Sequence, residues 1–187
     1  MGHPPRLPSG GIPARLCPLG NDVVVRDAQP GELPEVGALR VAAYRAHGFL
    51  PPASVYAGAL RDLGADGDGD VLVAVDESQI LGTIMLERWR PSSELACQPD
   101  EADIRALAVA PAAQGRGVGR ILLRAVIDRA AARRVRHLFL STQPAMAAAQ
   151  HLYAAAGFTR IPDRDWSPVP GVTLLAYGLL LDTPQPK

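Results

Sequence analysis

Three glycines between residues 115 and 119 limit which folds are open to this sequence. They follow an apolar segment at 104–109 and precede a segment at 121–127 whose apolar residues recur at helical spacing. A strand, a glycine turn and a helix in that order leave the first helical N–H groups without partners. Because bare amides at the positive end of a helix attract anions, the pattern predicts a diphosphate site, and Arg116 and Arg120 add positive charge.

The spacing of these glycines disfavours two familiar nucleotide-binding turns. A dinucleotide fold requires Gly-x-Gly-x-x-Gly, whereas Gly119 comes one residue too early and Asp128 falls inside the following helix. A mononucleotide loop would close with Gly-Lys-Ser or Gly-Lys-Thr, and this segment has neither. An ordinary glycine-rich helix start remains the alternative.

The remaining pattern predicts an α/β (α+β) chain with a mixed central sheet of about six to seven strands and helices on both faces. Strands are expected at 23–26, 71–75, 80–86, 104–109, 135–140, 158–159 and 172–181. Helices are expected at 32–48, at 55–63, after Gly119 and at 145–156. We expect one domain at 21–183, preceded by a flexible Pro- and Gly-rich tail at 1–20.

Composition narrows the classes of function. The 19 basic residues balance 19 acidic ones, which argues against a nucleic-acid partner. No segment approaches the roughly 20 apolar residues of a membrane helix, so no membrane partner is expected. Cys17 and Cys97 suit neither a disulfide framework nor a metal site, which favours a cytoplasmic protein without a metal. The oligomeric state is left open, and a homodimer is one option.

Two segments in order resemble the GCN5-related N-acetyltransferase family. Gln114-x-x-Gly117-x-Gly119, preceded by the strand that ends at Val109, is similar to the diphosphate signature of that family. The segment 151–158 resembles its Leu-Tyr-x-x-x-Gly-Phe signature. The resemblance implies an acyl-CoA N-acyltransferase-like fold, acetyl-CoA as co-substrate and a small-molecule or peptide amine as acceptor.

The same resemblance implies the site residues. The pantetheine arm would lie in a gap where the strand at 104–109 separates from the strand at 136–141. The candidate cofactor-binding residues are Leu107, Ala108, Val109, Gln114, Gly115, Arg116, Gly117, Val118, Gly119 and Arg120.

Two candidate catalytic residues follow. Tyr153 matches the usual proton donor of the family, although a tyrosine whose hydroxyl bonds to backbone is the alternative. Asp103 stands where some members carry a catalytic glutamate, four residues before Leu107 and on the same strand face by alternation. Asp103 could equally be a solvated charged residue at a strand entrance.

We therefore expect an enzyme that moves an acetyl group from acetyl-CoA to a primary amine by direct attack in a ternary complex. Met146 stands where many members have an asparagine that contacts the cofactor arm, and Ser141 stands where some have a glutamate. A non-catalytic acyl-CoA sensor or interaction module is therefore the alternative. The segment at 47–52 could line the amine pocket, although a turn that ends a helix explains it as well.

Overall fold

The computed structural model describes residues 23–169 and 171–181. Its strands are β1 (Val24–Asp27), β2 (Asp70–Asp76), β3 (Gln79–Arg88), β4 (Glu101–Val109), β5 (His137–Thr142), β6 (Thr159–Arg160), β7 (Trp166–Val169) and β8 (Val172–Leu180). Its α-helices are α1 (Leu33–Ala46), α2 (Tyr56–Asp62), α3 (Val118–Ala132) and α4 (Ala147–Ala155). The expected tail at 1–20 lies outside the described residues.

The strands form one mixed sheet in the order β1-β2-β3-β4-β5-β8-β6, with β7 paired to β8. Strands β1 to β4 are antiparallel neighbours, whereas β4 and β5 are parallel and are joined through α3. The predicted α/β class with a mixed sheet is confirmed. The expected six to seven strands become eight because β7 is a short segment with a proline and exposed side chains, which gives no alternation to detect.

The sheet has an apolar layer on each face. On one face, Leu122 and Val126 of α3 and Tyr153 of α4 pack on strand residues such as Ile84 and Leu138. On the other face, α1 and α2 cover the strands through two smaller clusters. Helices thus lie on both faces as predicted, and no helix of the described chain is long and apolar enough to cross a membrane.

Strand β4 contains a bulge that changes which side chains face which layer. Arg105 pairs with Met85 and Ala108 pairs with Thr83, so two residues of β4 lie opposite Ile84 alone. The extra residue is Ala106, which adopts a left-handed φ of 52°. Because a bulge shifts the alternation by one, residues after it occupy the opposite face from the one that period two predicts.

Candidate active site

A cavity of about 650 Å³ opens between β4, β5, the start of α3, α4 and the end of α1. This volume falls within the range of cavities that hold small molecules and cofactors. Predicted cofactor-binding residues that line it are Leu107, Ala108, Val109, Gln114, Gly115, Gly117, Val118, Gly119 and Arg120. Tyr153 lines it from α4, so the cavity brings both sequence signatures together.

The cavity exists because β4 and β5 pair over only four residues each. Residues 101–104 pair with 137–140, and no pairing continues beyond Ile104 and Leu140. The edge of β4 that faces β5 is therefore unpaired along Leu107 to Val109, while its other edge stays bonded to β3. Unpaired strand edges offer N–H and C=O groups to an extended ligand.

The glycine turn leads directly into α3. Gly115 and Gly117 have left-handed φ values of 74° and 89°, which glycine adopts without strain. Gly117 precedes the first residue of α3, where helical N–H groups lack internal partners. Arg120 reaches the cavity, but Arg116 turns away, and its Nη2 lies 3.5 Å from Asp76 Oδ2.

Tyr153 belongs to the apolar core and also lines the cavity. Its ring packs against those of Phe158 and Tyr177. Within the described chain, the Tyr153 hydroxyl makes no hydrogen bond. The alternative, a tyrosine whose hydroxyl bonds to backbone, is therefore not what the structure has. Burial raises the pKa of this phenol, so the hydroxyl keeps its proton at neutral pH.

Asp103 has a different position from the predicted one. It precedes the bulge, so the inference that it shares a face with Leu107 is wrong: Leu107 packs towards the α3 layer and Asp103 faces the other side. Its carboxylate accepts N–H groups of Glu94, Leu95 and Ala96 at 3.1, 3.1 and 2.9 Å. Asp103 is buried, is outside the cavity lining and holds the loop before β4.

The end of α1 and the segment after it supply three cavity residues, and of these only Tyr44 lies outside the segment 47–52 that the sequence marks as a possible wall of the amine pocket. Tyr44, His47 and Phe49 all line the cavity. His47 Nε2 lies 3.0 Å from Gln114 Oε1, so the end of α1 contacts the glycine turn. The sequence signal for these residues is the aromatic cluster before the Pro51-Pro52 break. A turn that ends a helix accounts for the same residues, so the cluster does not by itself identify a pocket wall.

Three further residues differ in whether they line the cavity. Ser141 and Met146 line the cavity. His137 does not line it, and its ring lies against Phe139 with centroids 4.0 Å apart. Burial lowers the pKa of His137, which is typical of a packed histidine.

Comparisons with known proteins agree with this geometry. The model of the acetyltransferase (GNAT) family matches residues 37–158, which span both signatures and strands β2 to β5. No curated protein matches the sequence.

Solved structures with the same fold cover most of the chain. A ribosomal-protein-alanine N-acetyltransferase from Brucella melitensis is 24% identical, with a TM-score of 0.64 over 84% of this chain and 99% of that chain. A GCN5-related N-acetyltransferase from Kribbella flavida is 25% identical, with a TM-score of 0.66 over 86% and 98%. The protein yncA from Salmonella typhimurium, solved with its cofactor acetyl-CoA, is 20% identical, with a TM-score of 0.65 over 89% and 98%.

Proposed function

This chain belongs to the acetyltransferase (GNAT) family and is an acetyl-CoA-dependent N-acetyltransferase, and we propose that it acetylates a primary amine of a small molecule or peptide. The amine attacks acetyl-CoA directly in a ternary complex. The observation that supports this proposal most is the single cavity that joins the glycine turn, the free edge of β4 and Tyr153. A cytoplasmic location and the absence of a nucleic-acid partner belong to the same proposal.

The donor half of the site fits coenzyme A in two parts. The amides from Gly115 to Gly119, with Arg120 beside them, bind the diphosphate at the positive end of α3. The pantetheine arm lies along Leu107 to Val109, whose backbone groups are unpaired towards β5. Arg116 contributes only long-range charge, because its guanidinium is directed to Asp76.

The acetyl group then lies where β4 and β5 separate, close to Tyr153. A neutral amine attacks the thioester carbonyl, and the carbon–sulfur bond breaks to release a thiolate. A backbone N–H of Leu107 or Val109 stabilises the oxyanion of the intermediate. Tyr153 protonates the departing thiolate, a role for which a hydroxyl that keeps its proton at neutral pH is suited.

Donor binding is tested with two matched arginine variants. Arg120 lines the cavity, whereas Arg124 lies one turn further along α3 and is exposed beside Asp128. We expect Arg120→Ala to weaken acetyl-CoA binding about 10-fold, since a hydrogen bond to a charged group contributes about 1.5 kcal/mol. Arg124→Ala should leave the Kd unchanged in calorimetry. Equal affinities of both variants would contradict the placement of the diphosphate.

Turnover is tested by thiol release with acetyl-CoA and a panel of amines. Lys187 is the only lysine of the chain, so acetylation of the enzyme itself should add little background. We expect amine-dependent release of coenzyme A and a product 42 Da heavier, about the mass of an added acetyl group. Tight acetyl-CoA binding without turnover on any amine would favour the sensor alternative instead.

A further inference from the structure

The cavity is lined from both faces of the sheet. From the face covered by α3 and α4, the glycine turn and Tyr153 line it, and these serve the donor in the proposed function. From the other face, Tyr44, His47, Phe49 and Ala106 line it. Tyr44 and Ala106 also pack against the apolar cluster shared by α1 and α2. We name Tyr44, His47 and Phe49 the aromatic wall, which lies outside the residues assigned to the donor.

Hydrogen bonds hold the aromatic wall in place without using the ring of Phe49. The Phe49 N–H donates to Tyr44 O at 2.9 Å, and Gln143 Nε2 donates to Phe49 O at 3.3 Å. His47 Nε2 lies 3.0 Å from Gln114 Oε1, and the His47 ring stacks on that of Phe49 with centroids 5.5 Å apart. The wall is therefore tied to the glycine turn on one side and to the loop between β5 and α4 on the other.

The cavity offers no negative charge to an acceptor. Within the described chain, no aspartate or glutamate lines it, and Arg120 beside the glycine turn is its only arginine or lysine. The carboxylates near the bulge of β4 have other partners. Asp103 accepts three backbone N–H groups, and both Glu87 and Glu94 pair with Arg105. An ammonium that is not the reacting group would lose its hydration in this cavity without gaining a counter-charge.

A positive charge lies behind the aromatic wall. Arg40 is one turn before Tyr44 on the same face of α1, and its side chain is fully buried. Its Nη1 donates to Leu63 O at 2.6 Å, while its Nε and Nη2 have no partner within the described residues. Burial lowers the pKa of this guanidinium to about 10, so it stays charged at neutral pH. A second cation on the acceptor would be repelled there.

On the premise of the proposed function, we infer that the acceptor is a monoamine with a flat apolar body, of the arylalkylamine class, whose ring lies against the aromatic wall. The single ammonium of such an amine is the reacting group, so no further charge enters the cavity. Its ring can contact Tyr44 and Phe49, since aromatic rings pack with about 4.5–7 Å between centroids. Diamines and larger polycations are disfavoured by the same features.

Three amines test this inference with the wild-type chain and acetyl-CoA. Butylamine and 1,4-diaminobutane have the same carbon chain and differ by one ammonium, whereas 2-phenylethylamine adds a ring. We expect kcat/KM to be about 10-fold or more higher for butylamine than for 1,4-diaminobutane, because the second ammonium finds no counter-charge. A further rise of about 10-fold or more is expected for 2-phenylethylamine, since a fitting apolar group gives discrimination of that size. Thiol release measures all three.

Two substitutions of Phe49 relate these preferences to the aromatic wall. Phe49→Ala should lower kcat/KM for 2-phenylethylamine about 10-fold and leave that for butylamine within about 2-fold. Phe49→Glu should raise kcat/KM for 1,4-diaminobutane about 10-fold relative to butylamine, because a carboxylate at the wall pairs with the second ammonium. Trp89 is the matched control, an exposed aromatic residue after β3 that does not line the cavity. Trp89→Ala should leave kcat/KM unchanged for all three amines.

Donor binding separates this inference from the proposed function. Acetyl-CoA should bind Phe49→Ala with wild-type affinity in calorimetry, since the main-chain bonds of the wall remain. Equal kcat/KM values for butylamine and 1,4-diaminobutane would overturn the inference, as would a Phe49→Ala chain that keeps the full preference for the ring. A wild-type chain that binds acetyl-CoA and acetylates no amine would instead overturn the proposed function.

Discussion

At the scale of single residues, Tyr153 and Tyr177 differ in the hydrogen bonding of their hydroxyl groups. Both are buried, and their rings lie 6.4 Å apart. The Tyr177 hydroxyl bonds to Gln150 Oε1 at 3.2 Å, whereas the Tyr153 hydroxyl has no such bond within the described chain. A bonded buried hydroxyl contributes to stability, and an unbonded one at a cavity costs stability and is available for chemistry.

Exchanging each tyrosine for phenylalanine should therefore separate activity from stability. We expect Tyr153→Phe to lower kcat about 100-fold with no loss of thermal stability, because it removes a proton donor but no internal bond. Tyr177→Phe should lower stability by about 1 kcal/mol and leave kcat unchanged. Thiol-release kinetics and thermal unfolding of both variants measure this. A Tyr153→Phe enzyme with full kcat would remove Tyr153 from the donor role.

The sequence alone was enough to identify some residues of the site but not to place all of them correctly. Gln114, Gly117 and Gly119 were identifiable because a diphosphate turn needs glycines at fixed spacing, and nine of ten predicted cofactor residues line the cavity. Asp103 was assigned the wrong face because alternation gives no warning of an inserted residue.

At the scale of elements, the position of α3 depends on a glycine in β3. A Cβ on Gly82 would lie 2.8 Å from Ala108 O and 3.0 Å from side-chain atoms of Val118 and Leu122. The sheet and the start of α3 are therefore in direct contact there. Because Val118 begins α3, the same contact fixes the glycine turn against the free edge of β4.

Gly82→Ala should move this interface apart. We expect a loss of about 1–3 kcal/mol of stability, since added atoms in a packed layer force backbone shifts, together with weaker acetyl-CoA binding. Gly58→Ala is the matched control: its Cβ would meet nothing within 4 Å, and alanine in α2 should stabilise by about 0.5–1 kcal/mol. Thermal unfolding and calorimetry test both, and an unchanged Kd in Gly82→Ala would refute the link between layer spacing and binding.

Element prediction succeeded where periodicity was long and uniform. α3 and β2 follow the expected segments closely. A complete apolar helical face is compatible only with a helix, and a run of β-branched residues strongly favours a strand. β4 begins at Glu101 rather than at 104, since charged side chains at its entrance are satisfied by the preceding loop and not by solvent. Such partners depend on tertiary contacts that the local pattern does not contain.

At the scale of the whole molecule, the sheet consists of two parts joined by little strand pairing. Strands β1 to β4 form one part, and β5 to β8 form the other. Only residues 101–104 and 137–140 pair between them, and the cavity occupies the place where further pairing would otherwise lie. A pantetheine arm bonded to β4 would supply part of that missing contact and make the two parts more cooperative.

Coenzyme A should accordingly raise the melting temperature of the whole domain. At a concentration 100-fold above its Kd, a ligand that binds only the folded state adds about 2.7 kcal/mol, or about 5–10 °C for a chain of this size. Acetyl-CoA and coenzyme A should give similar shifts, because the diphosphate and the arm provide the contacts. NAD has the diphosphate and adenine but no arm, so at equal concentration it should give a much smaller shift. If NAD matched acetyl-CoA in a thermal-unfolding assay, the gap between β4 and β5 would not be where the cofactor arm binds.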